Sequence, residues 1–105
     1  MLISNTETIV GREIIESLGV VRGNTVRARN VGRDIFASFK NLVGGEISEY
    51  TKLLADSREQ ALLRMEEDAS NLGADAVVNV RFTTSAITQG ASEILAYGTA
   101  VKLKK

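Results

Sequence analysis

The chain has 105 residues, of which 13 are basic and 13 acidic, so its formal net charge at pH 7 is +0, and it contains no Cys, His, Pro or Trp. The missing thiols exclude a disulfide scaffold, and the missing imidazoles exclude Ser-His-Asp catalysis and histidine-ligated metals. The balanced charge gives no footprint for nucleic acid and no attraction to an anionic membrane. The length and the 44% hydrophobic share predict one domain, residues 1–105.

The first part of the chain predicts a strand followed by a short helix. Apolar residues alternate over residues 14–29, where Gly19 indicates a bulge and Gly23 a turn or kink, so one bent strand or two short strands both fit. Apolar residues at spacings of four and three then predict a helix over residues 33–43.

A long helix is predicted over residues 46–72, where apolar residues form one continuous stripe. At 1.5 Å per residue it would be about 40 Å long, which exceeds the diameter of a domain this small. It therefore either curves along a sheet or projects toward a partner chain. Its acidic run is interpreted as a solvated face, with Arg64 paired to Asp68 one turn later.

Two alternating segments, residues 75–84 and 93–103, predict the last two strands. In the second of them Ala96, Gly98 and Ala100 leave one face flat, so that a helix or another subunit can approach it closely. The order β-α-α-β-β predicts an α+β fold in which one long and one short helix pack on a small antiparallel sheet.

Basic residues cluster in the first third of the chain, where four arginines fall within twelve positions of one another. Guanidinium groups favour bidentate pairing with carboxylate or phosphate. The cluster is therefore either an anion site or a belt of salt bridges between subunits, with Asp34 and Glu46 as partners. The four are Arg22, Arg27, Arg29 and Arg33.

Glu46 follows two glycines at the start of the predicted long helix, where the helix dipole favours an acid. Its functional interpretation is an acid that faces a cleft or a subunit junction, with Tyr50 one turn later. The structural interpretation, a residue that only begins the helix, stays open beside it.

Four segments spread along the chain form one pattern: residues 18–23, 43–46 with Tyr50 following, 72–78 and 96–101. In this order and at this spacing they closely resemble the YbjQ-like family, whose label is a heavy-metal-binding domain of unknown function. The resemblance implies a dodecin-like fold, subunits assembled into a ring of five, and no established enzymatic activity. Flavin-binding rings of the dodecin kind use an aromatic sandwich, and a chain without Trp departs from that pattern, so no flavin cofactor is expected.

We therefore expect a cytoplasmic, non-catalytic homo-oligomer that serves in binding or as a scaffold, with Glu46, Tyr50 and the arginine cluster at its subunit junctions. An alternative is a metal-ion sensor or store in which Glu46 and Glu49 supply oxygen ligands around the ring. Such ligands suit Mg²⁺, Ca²⁺ or Mn²⁺ rather than soft metals. A third alternative, an enzyme of unknown type, is disfavoured because no catalytic spacing occurs.

Overall fold

The computed structural model describes residues 1–27, 47–88 and 91–105. These residues form an α+β fold with one helix and four strands. The elements are β1 (Leu2–Ile3), β2 (Ile14–Arg27), α1 (Ile47–Asn71), β3 (Ala76–Thr88) and β4 (Ala91–Leu103). The predicted short helix over residues 33–43 lies outside the described residues.

The four strands form one mixed sheet in the order β1-β3-β4-β2. Strand β4 pairs antiparallel with β2 and with β3, whereas β1 pairs parallel with β3. The predicted order β-α-α-β-β contained no β1, so the small antiparallel sheet that it described lacks the one parallel pair of the observed mixed sheet. Two residues are too few for alternation to be recognised in a sequence, and the Ser4 amide that follows them donates to the Val77 carbonyl at 2.9 Å.

Strand β2 runs without interruption past both of its glycines. Gly19 has a φ of 104°, and the pairing register shifts between Ser17 and Gly19, which confirms the predicted bulge. Gly23 is not a turn, since its register with Ala96 is regular. A Cβ at Gly23 would lie 2.2 Å from the Met65 backbone nitrogen, so the glycine permits close approach of the helix.

Helix α1 lies across β2 and β4 on one face of the sheet. Ala61, Met65 and Ala69 recur every four residues and are fully buried there. They pack against the small side chains of β4, which confirms that a helix approaches the flat face predicted for that strand. The remaining buried members of this core are Val21, Val77, Val80, Ile94, Ala96 and Ala100.

The end of α1 follows the predicted glycine cap. Gly73 has a φ of 78°, its amide donates to the Ser70 carbonyl at 2.9 Å, and the Ala74 amide donates to the Ala69 carbonyl at 3.1 Å. This pair of hydrogen bonds is a Schellman motif, which satisfies carbonyls that the last helical turn would leave unpaired.

Strand β3 also contains a bulge, at Asn79, and then extends well beyond the core. Asn79 has a φ of 54°, the register with β4 shifts between Val78 and Arg81, and the Asn79 amide donates to the Thr6 carbonyl at 2.9 Å. Beyond this bulge residues 81–88 are all exposed, four of them past the predicted end of the strand. The radius of gyration is 17.0 Å, against about 13 Å for a compact chain of 100 residues, so the fold is elongated.

Candidate functional site

The face of the sheet opposite α1 carries a row of three large polar side chains. Arg22 on β2 pairs in register with Tyr97 on β4, which pairs in register with Arg81 on β3. Directly paired residues of antiparallel strands project from the same face, so the three stand side by side. Tyr97 is 37% exposed, and both arginines are exposed.

The two arginines of this row differ in what their side chains bind. Arg81 Nη1 donates to the Asn5 carbonyl at 2.8 Å and to the Val80 carbonyl at 3.0 Å, so this guanidinium is anchored to the backbone. Among the described residues, the guanidinium of Arg22 has no hydrogen-bond or ion-pair partner. A free guanidinium beside an exposed ring is chemically suited to a planar anionic ligand, whose charged group pairs with the guanidinium while its own ring stacks on Tyr97.

The outer edge of β2 is closed by side chains of α1. Asp68 Oδ2 accepts a hydrogen bond from the Arg22 amide at 3.1 Å, and Arg64 Nη1 donates to the Asn24 carbonyl. The expected ion pair between Arg64 and Asp68 was therefore wrong, because each side chain binds the strand instead. The close approach of the helix at Gly23 brings both side chains over the edge.

Residues 82–88 form the outer edge of β3 and are here called the β3 edge. This edge differs from the outer edge of β2 in charge and in backbone hydrogen bonding. It carries no charged side chain, and all seven side chains are exposed. Within the described part of the chain its outward backbone groups have no hydrogen-bond partner. A cleft of about 440 Å³ lies next to it, between Leu62 of α1 and the side chains of Val80 and Phe82.

A second cleft, of about 490 Å³, lies where the two chain ends meet. Its rim carries the basic side chains of Arg12 and Lys105 and the acidic side chain of Asp75. Asp75 Oδ2 already accepts a hydrogen bond from the Leu103 amide at 2.9 Å. Sequence reasoning missed this cleft because residues from both ends of the chain form it.

Of the residues predicted to form the site, the structure places only Arg22 with its side-chain surroundings. Arg27 ends β2, and Glu49 and Tyr50 lie in the first turn of α1, but their side chains are not among those described. Three further candidates, Arg29, Arg33 and Glu46, lie outside the described residues, as does Asp34. No sequence signal singled out Tyr97, since its neighbours in space come from other strands.

Metal ligation was tested on the same residues. Within the described ranges, no group of three or more Asp or Glu side chains is close enough together to hold a metal ion. A soft heavy metal requires thiolate or imidazole ligands, and the whole chain contains neither Cys nor His. The donor set of this chain therefore does not fit a soft heavy metal. Separately, no helix in the described ranges combines the length and apolar character needed to cross a bilayer.

The comparison with known families matches residues 1–104 to the YbjQ model, whose description reads "Putative heavy-metal-binding". The chain belongs to the YbjQ family. Curated YbjQ relatives carry the name UPF0145 protein, which states no activity. The chain is 62% identical to one from Halorubrum lacusprofundi over 104 residues, which cover 99% of this chain and 100% of that protein. It is 62% identical to one from Archaeoglobus fulgidus over 104 residues, 99% of this chain and 96% of that protein.

A bacterial YbjQ relative from Photobacterium profundum is 64% identical over 103 residues, which cover 98% of this chain and all of that protein. Among solved structures, the chain is similar to a DUF74 protein of unknown function from Pediococcus pentosaceus, with a TM-score of 0.66. The two share 16% sequence identity over 99% of this chain and 98% of the other. This likeness supports the fold alone.

Proposed function

We propose that this YbjQ-family chain is a cytoplasmic, non-catalytic protein that works as a dodecin-like homo-oligomer, a ring of five subunits, and binds a ligand or partner through its open sheet face. The observation that carries the proposal is apolar surface that the single chain leaves uncovered. Val20 is 62% exposed and Val26 51%, both on β2, and Phe82 on β3 is 44% exposed. Burying such surface between copies stabilises a small domain that buries little by itself.

The proposed binding surface is the row formed by Arg22, Tyr97 and Arg81. In a ring the same row recurs once per subunit, so five free Arg22 guanidinium groups would be presented to solvent or to a junction. An anionic ligand would meet a guanidinium and an aromatic ring at each position. The other predicted site residues, Arg27, Arg29, Arg33, Glu46 and Tyr50, are proposed to line the subunit junctions.

Sedimentation equilibrium of the purified protein and two variants tests this proposal. We expect the wild type to sediment as an assembly of several 11.3 kDa chains. Tyr97→Ala should weaken assembly or anion binding, because it removes the ring of the exposed row, whereas Glu67→Gln on the exposed side of α1 should change neither. A wild type that sediments as a single chain at micromolar concentration contradicts the proposal.

A second candidate function is favoured by the description of the family as heavy-metal-binding. In that alternative Glu46 and Glu49 supply oxygen ligands, one set per subunit around the ring axis, to Mg²⁺, Ca²⁺ or Mn²⁺. A metal that binds only the native state raises the melting temperature. Millimolar Ca²⁺, Mn²⁺ or Mg²⁺ should then raise the melting temperature of the wild type and of Glu59→Gln, but not of Glu46→Gln. Equal shifts in all three proteins, or no shift in any, would retire the metal function.

A further inference from the structure

We propose that the β3 edge is the surface on which a second copy of this chain docks, by adding a strand to the sheet. This inference rests on the proposed homo-oligomer and names the contact that forms it. A strand edge is a ready template for pairing, because it presents unpaired amides and carbonyls in a row. The two edges of the sheet differ in how well they are protected against such pairing.

The edge of β2 is protected against such pairing in three ways. Two bulges interrupt its register, between Ile14 and Glu16 and between Ser17 and Gly19. Charged residues recur along it. Asp68 and Arg64 also occupy two of its outward backbone groups. Bulges, charges and covering side chains are the devices by which natural sheets prevent edge-to-edge association.

The β3 edge carries no charged side chain, and its one register shift, between Ala86 and Thr88, lies at its far end. From residue 82 to residue 88 the sequence is Phe-Thr-Thr-Ser-Ala-Ile-Thr, with no charge and no proline. Most of these residues are β-branched or aromatic types that favour strands. Its regular pairing with β4 continues from Arg81 to Ala86. A long, uncharged and regular edge is an aggregation hazard unless a specific partner covers it.

The backbone groups available on the β3 edge follow from the pairing pattern. On β2 the amide of Arg22 points outward, so its neighbours Val21 and Gly23 point inward and bond to β4. Their partners on β4 are Gly98 and Ala96. The alternate residues of β4, such as Tyr97, then bond to Arg81 on β3. Alternation along β3 therefore directs the amides and carbonyls of Phe82, Thr84 and Ala86 outward.

The cleft beside the β3 edge provides a place for a side chain of the incoming strand. It has a volume of about 440 Å³; its lining combines the apolar residues Ile3, Leu62, Val80 and Phe82 with Ser4, Asn5 and Arg81. In strand addition the main-chain hydrogen bonds supply affinity, and a pocket that receives an alternate side chain supplies specificity. The edge and the cleft together form a docking surface rather than an open strand alone.

The charge of the surface identifies the occupant as another copy of this chain. An edge without formal charge offers no pairing to a charged peptide and favours an uncharged, strand-forming segment. Uncharged, strand-forming segments recur in every copy of the chain, so the β3 edge of one copy can receive a different segment of the next copy, which is the head-to-tail contact that a ring requires. The formal net charge of +0 also removes long-range repulsion between copies.

The substitution Thr84→Pro tests the inference, because proline removes an amide that points outward while the hydrogen bonds to β4 remain. Asn24→Pro is the matched control: its carbonyl accepts from Arg64 on the outer edge of β2, so its amide also points outward there. The probe is the mass of the full chain by light scattering at micromolar concentration, with far-UV circular dichroism to establish folding. We expect the wild type and Asn24→Pro to keep the mass of the assembly and Thr84→Pro to fall to 11.3 kDa.

A folded Thr84→Pro chain with the mass of the wild-type assembly overturns this inference and leaves the proposed homo-oligomer standing. A monomeric wild type overturns both. If Thr84→Pro does not fold, Thr84→Lys replaces it, since a charge on the edge also blocks pairing without removing any backbone group. An assembly that survives Thr84→Lys then counts against the β3 edge.

Discussion

Gly23→Ala is expected to be among the most damaging single-methyl changes available in this chain. Gly23 lies in β2 directly beneath α1, and the added Cβ would lie 2.2 Å from the Met65 nitrogen and 2.3 Å from the Ala61 oxygen. Ordinary contact begins at 3.4 Å, and the opposing atoms belong to the helix backbone. They have no rotamer by which to move aside, so the helix as a whole must retreat by roughly 1 Å.

That retreat sets the size of the effect. Inserting a methyl group into a packed core costs about 1–3 kcal/mol, and a gap of 0.5–1 Å forfeits a quarter to a half of each dispersion contact along the interface. We expect the free energy of unfolding to fall by about 3 kcal/mol. For a domain of this size that lowers the melting temperature by roughly 12–24 °C.

Urea and thermal unfolding followed by circular dichroism measure this loss, with two control variants of β2. Gly19→Ala places the same methyl group where no atom lies within 4 Å, but at a φ of 104°, so it reports backbone strain without a clash. Glu16→Gln changes an exposed side chain of the same strand and should stay within about 0.5 kcal/mol of the wild type. If Gly23→Ala also stays within about 0.5 kcal/mol, the close helix approach described here is refuted.

Three further predictions concern the edge, the bulge and the core. Asp68→Ala should lower the free energy of unfolding, measured in urea, by about 1 kcal/mol, because the Arg22 amide loses its acceptor. Asp68→Asn keeps an acceptor and should retain most of the wild-type stability. Equal losses in the two variants would argue against the hydrogen bond. Asn79→Gly should leave the melting temperature unchanged or raise it, whereas Asn79→Val should lower it, because a φ of 54° strains a β-branched residue. A higher melting temperature for Asn79→Val than for Asn79→Gly would contradict the bulge. Met65→Ala should lower the free energy of unfolding by about 2–5 kcal/mol in denaturant titrations, and Leu63→Ala, on the exposed side of α1, by less than about 1 kcal/mol. Similar losses would contradict the orientation of α1, in which Met65 faces the core and Leu63 faces solvent.

The elements with strong periodicity were predictable from the sequence, and those set by contacts were not. The apolar stripe of α1 and the alternation of β3 and β4 reflect burial on one face, which repeats along the chain and is visible in it. Strand β1 has two residues, too few to repeat. Gly23 was predicted to be a turn or kink, because a sequence does not show that a helix 38 or more positions later lies against it.

The candidate site was harder to predict for the same reason. The residues that close the edge of β2, Asp68 and Arg64, are separated by 46 and 40 positions from the backbone groups they bind. Sequence spacing suggested that they bind each other, since i and i+4 residues are neighbours on a helix. The row of Arg22, Tyr97 and Arg81 depends on the pairing register of three strands, and register shifts at each bulge.

The central claim is that neighbouring copies complete this chain, and native mass spectrometry of the wild-type protein tests it most directly. We expect a closed assembly with a single number of subunits, which is five in the proposed ring. This assembly should persist when the protein is diluted through the micromolar range. A spectrum containing only the 11.3 kDa chain at every concentration would contradict it.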